Sequence, residues 1–121
     1  MPKVLIADKL SPVAVRIFEE RGIVVEQRTG LSEPELLAVI DRYDGIAVRS
    51  ATRVTAAVLE AGAPRLKVVG RAGIGVDNID VEAATRCGVV VMNTPFGNAV
   101  TTAEHAIAMM FALARQIPAA D

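Results

Sequence analysis

The sequence predicts a three-layer α/β/α domain built on a five-stranded parallel sheet. Five short apolar runs, at residues 4–7, 23–25, 45–48, 66–70 and 89–92, alternate with helical segments. The runs lack strict apolar–polar alternation, so each strand should be buried on both faces, with helices on either side of a parallel sheet. Right-handed crossovers between five such strands give the flavodoxin-like order 2-1-3-4-5.

Each element has its own local signals. The first run ends at Asp8, and Ser11-Pro12 reads as a helix N-cap and first helical residue. Val15, Ile17 and Phe18 give that helix an apolar face, and Gly22 stops it. After the second strand, Ser32-x-x-Glu35 is a capping box that opens a helix with Leu36, Leu37 and Ile40 inward. Thr55 caps a third helix that runs to about Ala61 and stops at Gly62. Asp80 caps a short helix from Val81 to Arg86, which Gly88 ends. A second capping box, Thr101-x-x-Glu104, starts the longest helix, which ends before Pro118. Residues 106–114 of that helix are apolar around nearly the whole circumference, so it should be covered on more than one side. The expected cover is something this chain does not contain.

Composition removes whole classes of function. The 121 residues suit one domain, and 52% hydrophobic content rules out disorder. With 13 basic and 14 acidic residues the formal net charge is −1, which offers no basic face to nucleic acid. Aromatics are 3% and tryptophan is absent, which leaves little for base stacking or an aromatic ligand cage. Cys87 is the only cysteine, so an internal disulfide and a multi-cysteine metal site are excluded. The N-terminal apolar run is too short for a signal peptide, and no stretch approaches the roughly 20 residues of a membrane span. A cytoplasmic domain without nucleic-acid or membrane partners is the expectation.

Ligands of an open parallel sheet bind beyond the carboxyl ends of its strands. There the chain places Asp8-Lys9-Leu10-Ser11, Arg49-Ser50-Ala51-Thr52-Arg53, Arg71-Ala72-Gly73-Ile74-Gly75 and Asn93-Thr94-Pro95-Phe96-Gly97-Asn98. Arginine offers a planar bidentate fork, and glycine-rich backbone offers amide donors, so this edge suits an anion. The bland alternative is that Arg49 and Arg71 cap the sheet and pair with Asp8 or Asp77. The glycine string does not match the dinucleotide fingerprint G-x-G-x-x-G: counted from Gly73, the last position is Asn78. No acidic residue follows on a next strand to bind a ribose, so this is no self-contained NAD site. His105, the only histidine, reads as a helix residue without catalytic partners. Cys87 reads as a small buried residue at a helix end, Asp77 as a turn residue and Asp80 as a cap.

Val48-Arg49-Ser50-Ala51-Thr52, the string from Val69-Gly70-Arg71 through Asn78-Ile79-Asp80, and Met92-Asn93-Thr94-Pro95 resemble the D-isomer-specific 2-hydroxyacid dehydrogenase family. The resemblance runs from Val4 to Pro118. It implies residues 1–98 as the N-terminal part of a substrate-binding domain. It implies residues 99–121 as a crossing helix toward a nucleotide-binding domain, or a second subunit of a homo-oligomer, absent from this chain. The implied activity of the complete enzyme is NAD-dependent oxidation of 3-phosphoglycerate to 3-phosphohydroxypyruvate, the first committed step of L-serine synthesis. Glycerate and lactate are the alternative substrates. The family's catalytic Arg, Glu and His lie beyond this segment and His105 does not match the last of them, so the chain alone should be inactive. By the same resemblance Arg49 and Arg71 contact the substrate's anionic groups, with Ser50 and Arg53 beside them. Gly73, Ile74 and Gly75 offer amides to its carboxylate, Ile74 also borders the nicotinamide of NAD, and Asn98 faces the interdomain cleft. A flavodoxin-like signalling or binding module is the rival from another class. A phospho-receiver would need an acidic cluster after the first strand, where Asp8 stands alone, an aspartate where Arg49 stands and a lysine where Asn93 stands. A flavin site would need aromatics and a phosphate loop after the first strand.

Overall fold

The computed structural model describes residues 2–10, 12–72 and 75–93. The elements run β1 (Lys3–Ile6), α1 (Pro12–Glu20), β2 (Val24–Gln27), α2 (Glu33–Val39), a 3-10 turn at Ile40–Arg42, β3 (Gly45–Val48), α3 (Ala56–Gly62), β4 (Val68–Arg71), α4 (Val81–Arg86) and β5 (Val90–Asn93). The strands form one sheet in the order β2-β1-β3-β4-β5, every neighbouring pair parallel. Fold class and strand order are those the sequence predicts. The expected long helix beyond residue 98 lies outside the described residues.

The helix starts follow their caps. The Ser32 hydroxyl accepts from the Glu35 amide, and the Glu35 carboxylate accepts from the Ser32 amide at 2.9 Å, closing the capping box. Thr55 accepts from the Val58 amide to start α3, and Asp80 accepts from the Ala83 amide at 2.9 Å to start α4. Two helix ends explain why β2 and β5 begin one residue later than their apolar runs. Gly22 and Gly88 take φ of 76° and 72°. The residue after each donates its amide back into the helix, Ile23 to Phe18 O at 3.0 Å and Val89 to Ala84 O at 2.8 Å. This is the Schellman closure, in which the residue after the left-handed glycine also buries its side chain against the helix. Ile23 and Val89 are thus committed to ending helices before the ladders begin.

The two faces of the sheet carry separate cores. Leu5, Ile46, Val48 and Val69 point to one side, where Leu36, Ile40, Val58, Leu59, Ala83 and Ala84 of the α2–α4 layer cover them. Val4, Ile6 and Ala47 point to the other, where Ala14 and Phe18 of α1 meet them. Burial on both faces holds fully only at the centre: all of β3 is buried, whereas β2 and β5 are partly exposed, with Val24 at 41% and Val90 at 45%. These are edge strands, with a neighbour on one side only. Leu37 is partly buried rather than inward like Leu36 and Ile40. α3 stops at Gly62, as the sequence predicts, with Leu66 packed close against that glycine. No helix among the described residues is long and apolar enough to cross a membrane.

Candidate functional site

The carboxyl edge is organised by two side chains that hold the loop after β3. Asp8, just past β1 and 8% exposed, faces that loop. Its Oδ2 accepts from the Arg49 amide at 2.7 Å and the Thr52 amide at 3.1 Å, and its Oδ1 accepts from the Thr52 hydroxyl at 2.7 Å. A buried carboxylate filled by three donors is satisfied by the loop itself. Asn78 holds the same loop by its carbonyls: Nδ2 donates to Arg49 O at 2.7 Å and to Thr52 O at 2.6 Å. Backbone pairing puts Asn78 in place, since Val54 and Ile79 form a parallel bridge and the Val54 amide donates to Asn78 O at 2.8 Å.

The cationic groups differ in how committed they are. Arg71, the last residue of β4, has a side chain only 14% exposed. Its Nη1 donates to Asp77 Oδ1 and, at 2.8 Å, to Asn78 Oδ1. Its Nε is buried and has no partner among the described residues. The Arg71 hydrogen bond, above all, holds the Asp77 carboxyl below the usual carboxylate range; Asp77's own backbone amide and the charge of Arg53 add to it. Arg49 is half-buried and Ser50 and Arg53 are exposed. Among the described residues no carboxylate pairs with the guanidinium of Arg49 or Arg53. The sheet-capping alternative therefore describes Arg71, which pairs with Asp77, and not Arg49, whose amide rather than guanidinium meets Asp8. Gly75 packs against the Arg71–Asp77 pair: a Cβ there would lie 3.2 Å from Asp77 Oδ1 and 3.5 Å from Arg71 Nη1.

Arg49, Ser50, Arg53, Arg71 and Gly75 all lie along this one edge, because Val48 and Arg71 are register partners at the ends of β3 and β4. Gly73, Ile74, Asn98 and His105 lie outside the described residues. Cys87 sits at the end of α4, half-buried rather than buried. Sequence reasoning offered Asp8 only as an ion-pair partner of Arg49 and missed Asn78; the bonds these two side chains make to the loop after β3 span 26 to 44 residues. No group of three His, Cys, Asp or Glu among the described residues is placed to hold a metal ion. The chain has no dinucleotide fingerprint, and the edge is built of short side chains, guanidinium groups and backbone. It fits a small anion and does not by itself fit NAD.

The class the structure defines is a parallel α/β sheet with cationic side chains gathered at its carboxyl edge, and the sequence places it in a family. Residues 4–117 match the D-isomer specific 2-hydroxyacid dehydrogenase catalytic domain, and the chain belongs to that family. The D-3-phosphoglycerate dehydrogenase of Archaeoglobus fulgidus is 52% identical over 119 residues, covering 98% of this chain and 22% of the relative. The enzymes of the same name from Synechocystis and Homo sapiens are each 52% identical, over 121 and 118 residues, again covering 22% of the relative. The chain thus spans about a fifth of the length of these curated relatives. Among solved structures, a Pyrococcus horikoshii protein matches with TM-score 0.71 and 41% identity over 75% of this chain and 27% of its own. NAD+-bound 3-phosphoglycerate dehydrogenase from Entamoeba histolytica matches with TM-score 0.69 and 30% identity over 77% of this chain and 32% of its own.

Proposed function

We propose that this chain is the N-terminal substrate-binding portion of an NAD-dependent dehydrogenase that oxidises 3-phosphoglycerate to 3-phosphohydroxypyruvate for L-serine synthesis in the cytoplasm. The observation that carries the reading is the gathering of Arg49, Ser50, Arg53 and Arg71 at one sheet edge. The 52% identity to D-3-phosphoglycerate dehydrogenases supports it. Residues 1–98 are the substrate-binding part, and residues 99–121 the crossing helix that meets the nucleotide-binding domain or a second subunit of a homo-oligomer. NAD and the catalytic Arg, Glu and His belong to the rest of the enzyme.

This segment contributes binding and orientation. 3-Phosphoglycerate carries a carboxylate and a phosphate, and two separate anionic groups call for more than one cation. Arg49 and Arg53, without carboxylate partners among the described residues, supply charge for the phosphate. The amides of Gly73, Ile74 and Gly75 supply donors for the carboxylate. Ile74 also borders the nicotinamide, and Asn98 faces the cleft. Fixing both ends of a small substrate limits it to one reactive pose, which is how positioning lowers a barrier.

Titration of the 121-residue chain with 3-phosphoglycerate, followed by backbone amide NMR, tests the reading. Shifts centred on residues 49–53 and 71–75 are expected, with weaker response to glycerate and lactate. The chain alone should show no turnover with NAD. A folded chain whose amides ignore 3-phosphoglycerate, or answer lactate as strongly, overturns the assignment.

A further inference from the structure

Every polar atom of the Asn78 side chain is in use. Both Nδ2 hydrogens go to carbonyls of the loop after β3, on Arg49 and Thr52, and Oδ1 receives Arg71 Nη1 from the end of β4. Only one orientation of the amide works. Turned over, its oxygen would face two carbonyls and its amino group a guanidinium. Asn78 is hydrogen-bonded to both cationic loops. Among the described residues, Asp8 reaches only the first of them, and Asp77 only the second.

We propose that Asn78 is a positioning residue for the substrate anion: it locks the Arg49 backbone and the Arg71 guanidinium into one fixed spacing, so that the two loops bind as a unit. This rests on the reading that both loops face the substrate. The chemistry explains why an asparagine stands here. Aspartate would set a carboxylate against two carbonyl oxygens. Serine has a single donor hydrogen and cannot serve three partners. Alanine would leave two carbonyls and one guanidinium hydrogen without partners. A slack spacing between two cations weakens binding of a ligand that must touch both, while leaving each cation in place.

The test compares Asn78→Ala, and the milder Asn78→Ser should alanine fold poorly, with Gly88→Ala. Gly88 lies on the opposite edge of the sheet at φ +72°, where alanine strains the turn without touching either loop. Melting temperatures establish that the variants are comparably destabilised. Binding of 3-phosphoglycerate is then read from amide shifts of the full 121-residue chain, with inorganic phosphate as a second probe. The Asn78 variants should bind 3-phosphoglycerate about 10-fold more weakly than wild type, the scale of a single hydrogen bond. Their ligand-free amide signals at residues 49–52 should also move, while Gly88→Ala binds as wild type. Asn78 variants that bind as well as Gly88→Ala overturn the proposal. If wild type ignores 3-phosphoglycerate but takes inorganic phosphate, the substrate reading fails and the same comparison on phosphate decides the role of Asn78. If wild type takes neither, both fall.

Discussion

Arg71 shows how one side chain can be both structural and available. Its Nη1 is shared between Asn78, which lies inward, and Asp77, whose side chain is 88% exposed. On the proposed reading, an anion bound by Arg71 competes with the exposed Asp77 carboxylate for the guanidinium. Replacing Asp77 with Asn removes one negative charge beside the cation. In water the repulsion from one such charge is modest, about a few-fold in affinity. Asp77→Asn is therefore expected to bind inorganic phosphate several-fold more tightly at low ionic strength, with the gain shrinking in high salt. Its melting temperature should barely move, since an exposed ion pair contributes little. Weaker phosphate binding by Asp77→Asn would show instead that the carboxylate orients the guanidinium. Asp77 stands six residues after Arg71, so this pairing was visible in the sequence as an alternative. The amide of Asn78 was not. Its carbonyl partners are 29 and 26 residues away, and only the bridge between Val54 and Ile79 brings them together.

At the scale of elements, the helix beginnings at Ser32, Thr55 and Asp80 and the helix ends at Gly22, Gly62 and Gly88 were all legible. Ser32, Thr55 and Asp80 act through bonds to residues three positions on, and local signals of that kind survive in any fold. Helix ends depend on what the chain meets next. Gly22 and Gly88 end helices by their positive φ, as glycine after a helix usually does. Gly62 needs a different account, since its φ is not positive and the limit is space. A Cβ on Gly62 would lie 2.8 Å from Leu66 Cβ and 3.3 Å from Ile40 Cγ1, where α3 turns into β4. Leu66 Cβ is tied to its backbone and cannot swing aside. Glycine to alanine within a helix ordinarily stabilises by up to about 1 kcal/mol, so the sign of the effect is diagnostic. Gly62→Ala is expected to lose about 1–3 kcal/mol, the range for overpacking a tight site. Thermal melting reads this directly, and a rise in melting temperature would mean the α3–β4 turn opens freely.

For the whole molecule, strand order was legible because βα units with buried central strands have few ways to assemble. The side-chain ties across that order were not, and Tyr43 is the largest of them. It is fully buried, and its hydroxyl donates to Glu26 Oε2 at 2.5 Å. Lys3 Nζ stands 2.9 Å from Glu26 Oε1 and 5.3 Å from the Tyr43 ring centre. The cluster thus joins β1, the edge strand β2 and the segment leading into β3. Burial first, and the Glu26 carboxylate second, push the Tyr43 phenol above its ordinary value of 10.0. The Tyr43 hydroxyl first, and Lys3 second, hold Glu26 below its ordinary 4.5. The signs are opposite. For Tyr43 the folded value is the higher, so its contribution is intact below pH 10 and is lost as pH rises through the shifted value. For Glu26 the folded value is the lower, so its contribution is intact above the ordinary value and is lost as pH falls through the shifted one. Tyr43→Phe deletes the phenol proton and the hydrogen bond together. It is expected to cost about 1–2 kcal/mol near neutral pH, the scale of a hydrogen bond to a charged but partly solvated partner. Melting curves of both proteins from pH 3 to 11 should show the wild-type advantage level in the middle of the range and narrowing at both ends. The alkaline narrowing carries the inference, because phenylalanine has no proton to lose. A wild-type advantage that stays constant above pH 10 would mean that Tyr43 ionises as easily in the folded chain as in the unfolded one.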